Sequence, residues 1–158
     1  MDKKSRIILC GPGGSGKDFL RKKFESRGYK YCVSYTSRPP RIGEKEGYDY
    51  KFTNEEFFEK NKEAFYETAH FNSWWYGTSL EDFYSSDLFI MTPSGIKQLR
   101  PQDRETSMIV YLNPPEEIRK ERLAARNDAD TVDRRLEADH KDFSGFLDYD
   151  IMITNEDF

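Results

Sequence analysis

The sequence predicts an α/β fold built on a parallel sheet, and three observations carry that expectation. An apolar run, Ile7-Ile8-Leu9-Cys10, feeds the glycine-rich stretch Gly11-Pro12-Gly13-Gly14-Ser15-Gly16-Lys17-Asp18. A helix-like segment from about Phe19 follows, stopped by Gly28 at its C-terminal end. A second strand is expected at once over residues 30–34. Strand, loop, helix and strand make a βαβ unit, whose strands run parallel and whose ligand belongs at their C-terminal edge.

The glycine-rich stretch carries its own chemistry. Gly11, Gly13, Gly14 and Gly16 let the backbone curl so that successive N–H groups, including that of Ser15, point inward at a polyphosphate. The helix N-terminus adds its dipole and Lys17 a point charge. The pattern wants Ser or Thr after the lysine to hold Mg²⁺ through a hydroxyl, and this chain has Asp18 instead.

At 158 residues the chain is long enough for one domain with a packed core, and at 15% aromatic residues much of that core must be rings. A net charge of −4 gives no overall pull toward nucleic acid or an anionic membrane, so any anion site has to be a local cluster of cations. Cys10 and Cys32 are too few and too strand-bound for a disulfide framework, and they point to reduced thiols. With no signal-like h-region and no long apolar span, the expectation is a soluble, cytoplasmic protein.

Between residues 34 and 52 two prolines and two glycines rule out a regular element, so Arg38 and Arg41 sit on a loop held in shape by its prolines. Hydroxyls and forked cations on a stiff loop suit a phosphate; a solvated surface loop is the alternative. Thr53-Asn54-Glu55-Glu56 reads as a capping box for a short helix to about Lys60. Residues 64–71 then alternate, placing Glu67 on the face of Phe65, Ala69 and Phe71. A buried carboxylate there must meet donors from the protein or a ligand, whereas His70 lies on the opposite face without metal-ligand neighbours. Residues 72–79 are expected to turn the chain, with Ser79 capping a helix. Strands follow over 87–92, 107–112 and 149–153. On the helix begun by Pro114-Pro115-Glu116, Arg119, Arg122 and Arg126 share one face, a stripe that repels itself unless an anion visits.

Taken together, these motifs resemble the guanylate kinase family over nearly the whole chain. The strongest part is residues 34–52, where a serine and threonine precede Arg-x-Pro-Arg-x-Gly-Glu and then Gly-x-Asp-Tyr-x-Phe. The resemblance implies a P-loop nucleoside monophosphate kinase fold. Its core would be a five-stranded parallel sheet from residues 1–35 and 87–158, with a monophosphate-binding lobe over 36–86 and a helical arginine lid at about 122–135. It implies that Ser34, Arg38, Arg41, Tyr50 and Tyr76 hold the acceptor phosphate, and that Glu67 and Thr78 read guanine. Guanine's N1–H and N2–H₂ are parallel donors that a carboxylate accepts together, and a hydroxyl can donate to O6. Arg122, Arg126 and Arg135 would close over the phosphates, and Asn155 would join the ATP site.

The implied activity is ATP-dependent phosphorylation of GMP or dGMP with Mg²⁺, on small nucleotides alone, with Lys17, Arg41, Arg122, Arg126 and Arg135 as the catalytic cations. Such a transfer needs alignment and charge neutralisation rather than a nucleophilic side chain. Two departures bear on it. Ile90 and Thr92 stand where the family carries acids at the end of the third strand, and Asp18 stands where it carries a hydroxyl. Asp18 is read either as a metal group replacing the lost carboxylates or as a partner of the helix dipole. The alternatives to a guanylate kinase are a kinase of another or modified deoxynucleoside monophosphate and a non-catalytic binding module of the same fold.

Overall fold

The computed structural model describes residues 5–126, 131–155 and 157. In chain order the elements are β1 (Arg6–Cys10), α1 (Lys17–Glu25), β2 (Tyr35–Thr36), β3 (Lys51–Phe52), α2 (Glu55–Lys60), β4 (Phe65–Phe71), β5 (Trp74–Ser79), α3 (Leu80–Ser85), β6 (Leu88–Ile90), α4 (Pro93–Lys97), α5 (Pro101–Glu105), β7 (Ser107–Leu112), α6 (Glu116–Ala124), α7 (Val132–Phe143) and β8 (Ile151–Ile153).

Four strands form a parallel sheet in the order β6-β1-β7-β8. Side chains alternate across β1. Ile8 and Cys10 face a cluster with Phe83, Phe89, Ile96 and Ile109, while Leu9 faces Leu88, Val110 and Leu112, with Leu20 and Phe24 of α1 packed over it. Burial on both faces is what a parallel sheet between helices requires.

The fifth strand expected at residues 30–34 forms no ladder. Tyr31 makes a single bridge to Leu88 and the Cys32 N–H donates to the Leu88 carbonyl at 2.8 Å, so the edge position is occupied. The chain then diverts into β2, which pairs in the second sheet, so the ladder goes no further.

The second sheet, in the order β3-β2-β5-β4, is mixed, β2 pairing parallel with β3 and antiparallel with β5. Residues 74–79 are therefore a strand rather than a turn. Only Asn72 and Ser73 turn the β4–β5 hairpin, both with positive φ as the tight hairpin turn demands. Rings fill this lobe: Phe58 stacks on Phe65 at 5.0 Å and Tyr35 on Phe57 at 5.0 Å. The cap of α2 is Asn54, whose side chain accepts from the Phe57 N–H, and not Thr53. Ser79 caps α3 as expected.

The lid expected at about 122–135 falls partly on residues 127–130, which lie outside the described residues. Its described parts are the end of α6 and the start of α7. Arg134 donates to Ser73 at the hairpin tip, which brings α7 to the rim of the lobe. No helix among the described residues is long and apolar enough to cross a membrane.

Candidate active site

Between β1 and α1 the chain makes the curl that its glycines allow, with Gly14 at φ 76° and Gly16 at φ 98°. The Ser15 hydroxyl inside this curl is buried and has no hydrogen-bond partner. Lys17 opens α1 and its Nζ donates to the Gly11 carbonyl. Burial lowers the ammonium's pKa, an effect that the nearby Asp139 carboxylate partly offsets.

A cavity of about 560 Å³ opens over this loop, a size that suits small-molecule ligands. Its wall holds Gly11, Gly13, Gly14, Ser15, Gly16, Lys17 and Asp18 from the loop, Ser34, Arg38, Arg41, Tyr50, Glu67 and Tyr76 from the lobe side, and Arg122, Arg126 and Arg135 from α6, its C-terminal flank and α7. Residues spread over 125 positions of sequence thus share one concavity, because the C-terminal edge of the parallel sheet and the open side of the second sheet face it.

On the lobe side, Arg38 is buried and forms a bidentate pair with Glu44 at 2.9 and 3.0 Å, while its guanidinium lies 5.1 Å from the centre of the Tyr50 ring. The Arg41 N–H donates to the same carboxylate at 2.7 Å, so Glu44 sets the shape of the loop that carries both arginines. Tyr50 and Tyr76 meet edge to face at 6.0 Å, and burial pushes the Tyr50 phenol pKa up, which keeps it a protonated donor.

Glu67 is 6% exposed and accepts from the Thr78 hydroxyl at 2.8 Å. Burial pushes its carboxyl up to about 7 despite that bond. Space for its second oxygen comes from Gly95 in α4, where a Cβ would stand 2.7 Å from Oε2. Thr92 uses its hydroxyl to cap α4 through the Gly95 N–H at 3.1 Å, and Ile90 and Thr92 both line the cavity.

Two expectations change on this geometry. Thr78 does not line the cavity; its hydroxyl is spent on Glu67, its register partner across the β4–β5 pair, so it orients the carboxylate. Asn155 does not line the cavity either. It lies exposed beyond β8, its side chain accepting from the Asp157 N–H. The arginine stripe of α6 is also less bare than its sequence suggests. Arg122 donates to the Gly14 carbonyl at 3.0 Å, and Arg119 turns inward beside Asp139.

Two carboxylates of the cavity wall, and an arginine that does not line it, were not singled out from the sequence. Asp139 and Asp142 both line the cavity, and burial together with the charge of Asp139 pushes the Asp142 carboxyl up to about 6. Their signal was present: Arg135, Asp139 and Asp142 recur at i, i+4 and i+7, one face of a helix. Arg21 of α1 is buried under the Tyr31 ring at 3.7 Å and donates to the Tyr48 carbonyl at 2.8 Å, tying the helix after the phosphate loop to the loop that carries Tyr50. The two cysteines are free and buried, with their thiols pushed up to about 12 chiefly by burial, so neither serves as a nucleophile.

Comparison with known proteins agrees with this geometry. The sequence model of guanylate kinase matches residues 3–158. A guanylate kinase of Nitratidesulfovibrio vulgaris is 32% identical over 163 residues, an alignment spanning 96% of this chain and 79% of that protein. One from Legionella pneumophila is 34% identical over 163 residues, spanning 96% and 78%. The crystal structure of guanylate kinase from Anaplasma phagocytophilum superposes with a TM-score of 0.72 at 24% identity, covering 99% of this chain and 79% of that one, a likeness of fold. A glycine-rich phosphate loop, a stiff two-arginine loop and a buried carboxylate around one cavity, with a family match along almost the whole length, place this chain in the guanylate kinase family.

Proposed function

We propose that this chain transfers the terminal phosphoryl group of ATP directly to the phosphate of a guanine nucleoside monophosphate, GMP or dGMP. The observation that carries the proposal is that Glu67, Arg38, Arg41 and the Lys17 loop all line one cavity. The donor phosphates lie along the N–H groups of the loop and against Lys17, with Arg122, Arg126 and Arg135 supplying further positive charge from α6 and α7. Arg38, Arg41, Tyr50, Tyr76 and Ser34 hold the acceptor phosphate. The attacking oxygen of that phosphate is already anionic, so no general base is required. The side chains align the two phosphates, neutralise the charge spread over the transferred group and exclude water. Ionised Glu67 accepts N1–H and N2–H₂ of guanine together, an arrangement that adenine cannot satisfy.

Among the described residues no group of three or more acidic, histidine or cysteine side chains is placed to hold a metal by itself. That suits Mg²⁺, which is commonly held by one or two carboxylates together with substrate phosphates. The carboxylate we assign to it is Asp18, which lines the cavity next to Lys17 with its side chain 67% exposed and 3.9 Å from Arg21. Bound with the donor phosphates, the ion would neutralise charge on their oxygens. Asp18→Asn is expected to raise the Mg²⁺ concentration for half-maximal rate by about tenfold. An unchanged metal dependence with a lowered melting temperature would leave Asp18 only its role at the helix N-terminus.

The proposal as a whole is tested by following ADP release from ATP with each common nucleoside and deoxynucleoside monophosphate in turn. Turnover is expected with GMP, dGMP or both and near background with the rest. A preference for any other base would overturn the assignment of Glu67, and no turnover with any acceptor would favour a non-catalytic role.

A further inference from the structure

Asp139 is 4% exposed, yet it does not meet its buried neighbours in the way that would satisfy them best. Its Oδ2 accepts from the Gly13 N–H of the phosphate loop at 3.1 Å. The same oxygen stays 3.9 Å from Nη1 of Arg119, beyond hydrogen-bond reach. Arg119 is itself 7% exposed, and its Nε and Nη1 are buried with no hydrogen-bond partner. A buried guanidinium with two unsatisfied nitrogens beside a carboxylate that is bonded elsewhere is a costly arrangement, unless the carboxylate is needed where it is. What lies around it supplies the need: burial raises the Asp139 carboxyl pKa, and Lys17, the Gly13 N–H, Arg119 and Arg135 act against that rise in favour of the ionised form. Asp139 provides these cations with a counter-charge and the Gly13 N–H with an acceptor.

We propose that Asp139 is an internal counter-ion of the donor-phosphate loop. Its carboxylate holds the Gly13 N–H, and the terminal phosphates of ATP compete for that N–H and displace the carboxylate to Arg119. The movement required is about 1 Å, the difference between the present separation and a normal ion-pair contact. It exchanges one satisfied loop amide and one unsatisfied arginine for an amide on phosphate and an arginine on carboxylate. Arg119 is thereby a positioning residue that receives the displaced charge, and Asp139 a residue against which the donor competes. This inference rests on the assignment of the glycine-rich loop to the donor phosphates.

The test is the affinity for ATP with Mg²⁺, measured calorimetrically without a monophosphate acceptor, together with melting temperature. Asp139→Asn keeps the shape but removes the competing charge, and is expected to bind ATP about tenfold more tightly while melting lower without nucleotide. Arg119→Met removes the receiving site, and is expected to bind ATP about tenfold more weakly. The double variant is expected to bind like Asp139→Asn alone, because without the carboxylate Arg119 has no displaced charge to receive. That coupling is what two charges acting independently on the triphosphate would not produce, and a double variant near the parent affinity would overturn the proposal. Weaker or unchanged binding by Asp139→Asn, or unchanged binding by Arg119→Met, would overturn the proposal; if Asp139→Asn does not fold, Arg119→Met decides alone. A parent protein that fails to bind ATP would instead overturn the assignment of the loop itself, and the inference with it.

Discussion

Replacing Lys17 by methionine is expected to lower the rate of phosphoryl transfer by about a thousandfold while leaving the monophosphate KM within about threefold of the parent. The ammonium is half-buried at the base of the phosphate loop, where a fixed positive charge acts on developing negative charge with less screening than in bulk water. The acceptor groups Arg38, Arg41 and Tyr50 belong to a different loop, shaped by Glu44, and do not depend on it. Loss of rate should not come from unfolding. Burial lowers the lysine pKa in the folded protein, so at neutral pH the charged form opposes folding, and a neutral side chain of similar length removes that cost. The melting temperature of the nucleotide-free variant is therefore expected to equal or exceed that of the parent. Normal turnover by Lys17→Met would place the donor somewhere other than this loop.

Glu67→Gln is expected to raise the KM for the guanine nucleotide by about a hundredfold with a much smaller change in kcat, because an amide offers one acceptor where guanine's two donors require two. Discrimination against adenine nucleotides should fall in parallel. The pH dependence gives an independent check. Burial raises the folded carboxyl to about 7 from an ordinary 4.5, against the pull of the Thr78 hydroxyl. A raised carboxyl pKa contributes stability that is fully present below the unfolded value and lost as pH rises through about 7. Guanine needs the ionised form, so its affinity in the parent is expected to fall about tenfold per pH unit below the folded value, and Glu67→Gln should lack that dependence. Stability runs the other way: relative to the parent, the nucleotide-free variant should be more stable at pH 8 than at pH 5. A parent KM that is flat between pH 5.5 and 8 would mean that the carboxylate does not read the base.

Much of the site was legible because its chemistry is local. Gly14 and Gly16 at positive φ, the strand before them and Lys17 at the start of α1 lie within a dozen residues, and short-range sterics alone demand the curl. The two-residue period of β4 put Glu67 on the buried face without knowledge of any partner. The arginine loop followed from its prolines. Resemblance to a family added which nucleotide these parts would serve.

What the chain could not show by itself was which buried group meets which. Glu67 had to find donors, but that Thr78 is one of them follows from the register of β4 against β5. The same register turned residues 74–79 into a strand, since a ladder partner can rescue a segment whose own pattern reads as a turn. Residues 30–34 had the composition of a strand, and their pairing stops at one bridge because the chain leaves for β2 of the other sheet. Asp139 and Asp142 were visible as one face of a helix, but a helix face says nothing of what lies opposite. Only the packing of α7 against the phosphate loop put a carboxylate on the Gly13 N–H and left Arg119 at 3.9 Å from it. Backbone preference and periodicity act over a few residues and are written into neighbouring letters. The contacts of Asp139 and Arg122 with the phosphate loop span 126 and 108 residues, and they exist only once the chain has closed on itself.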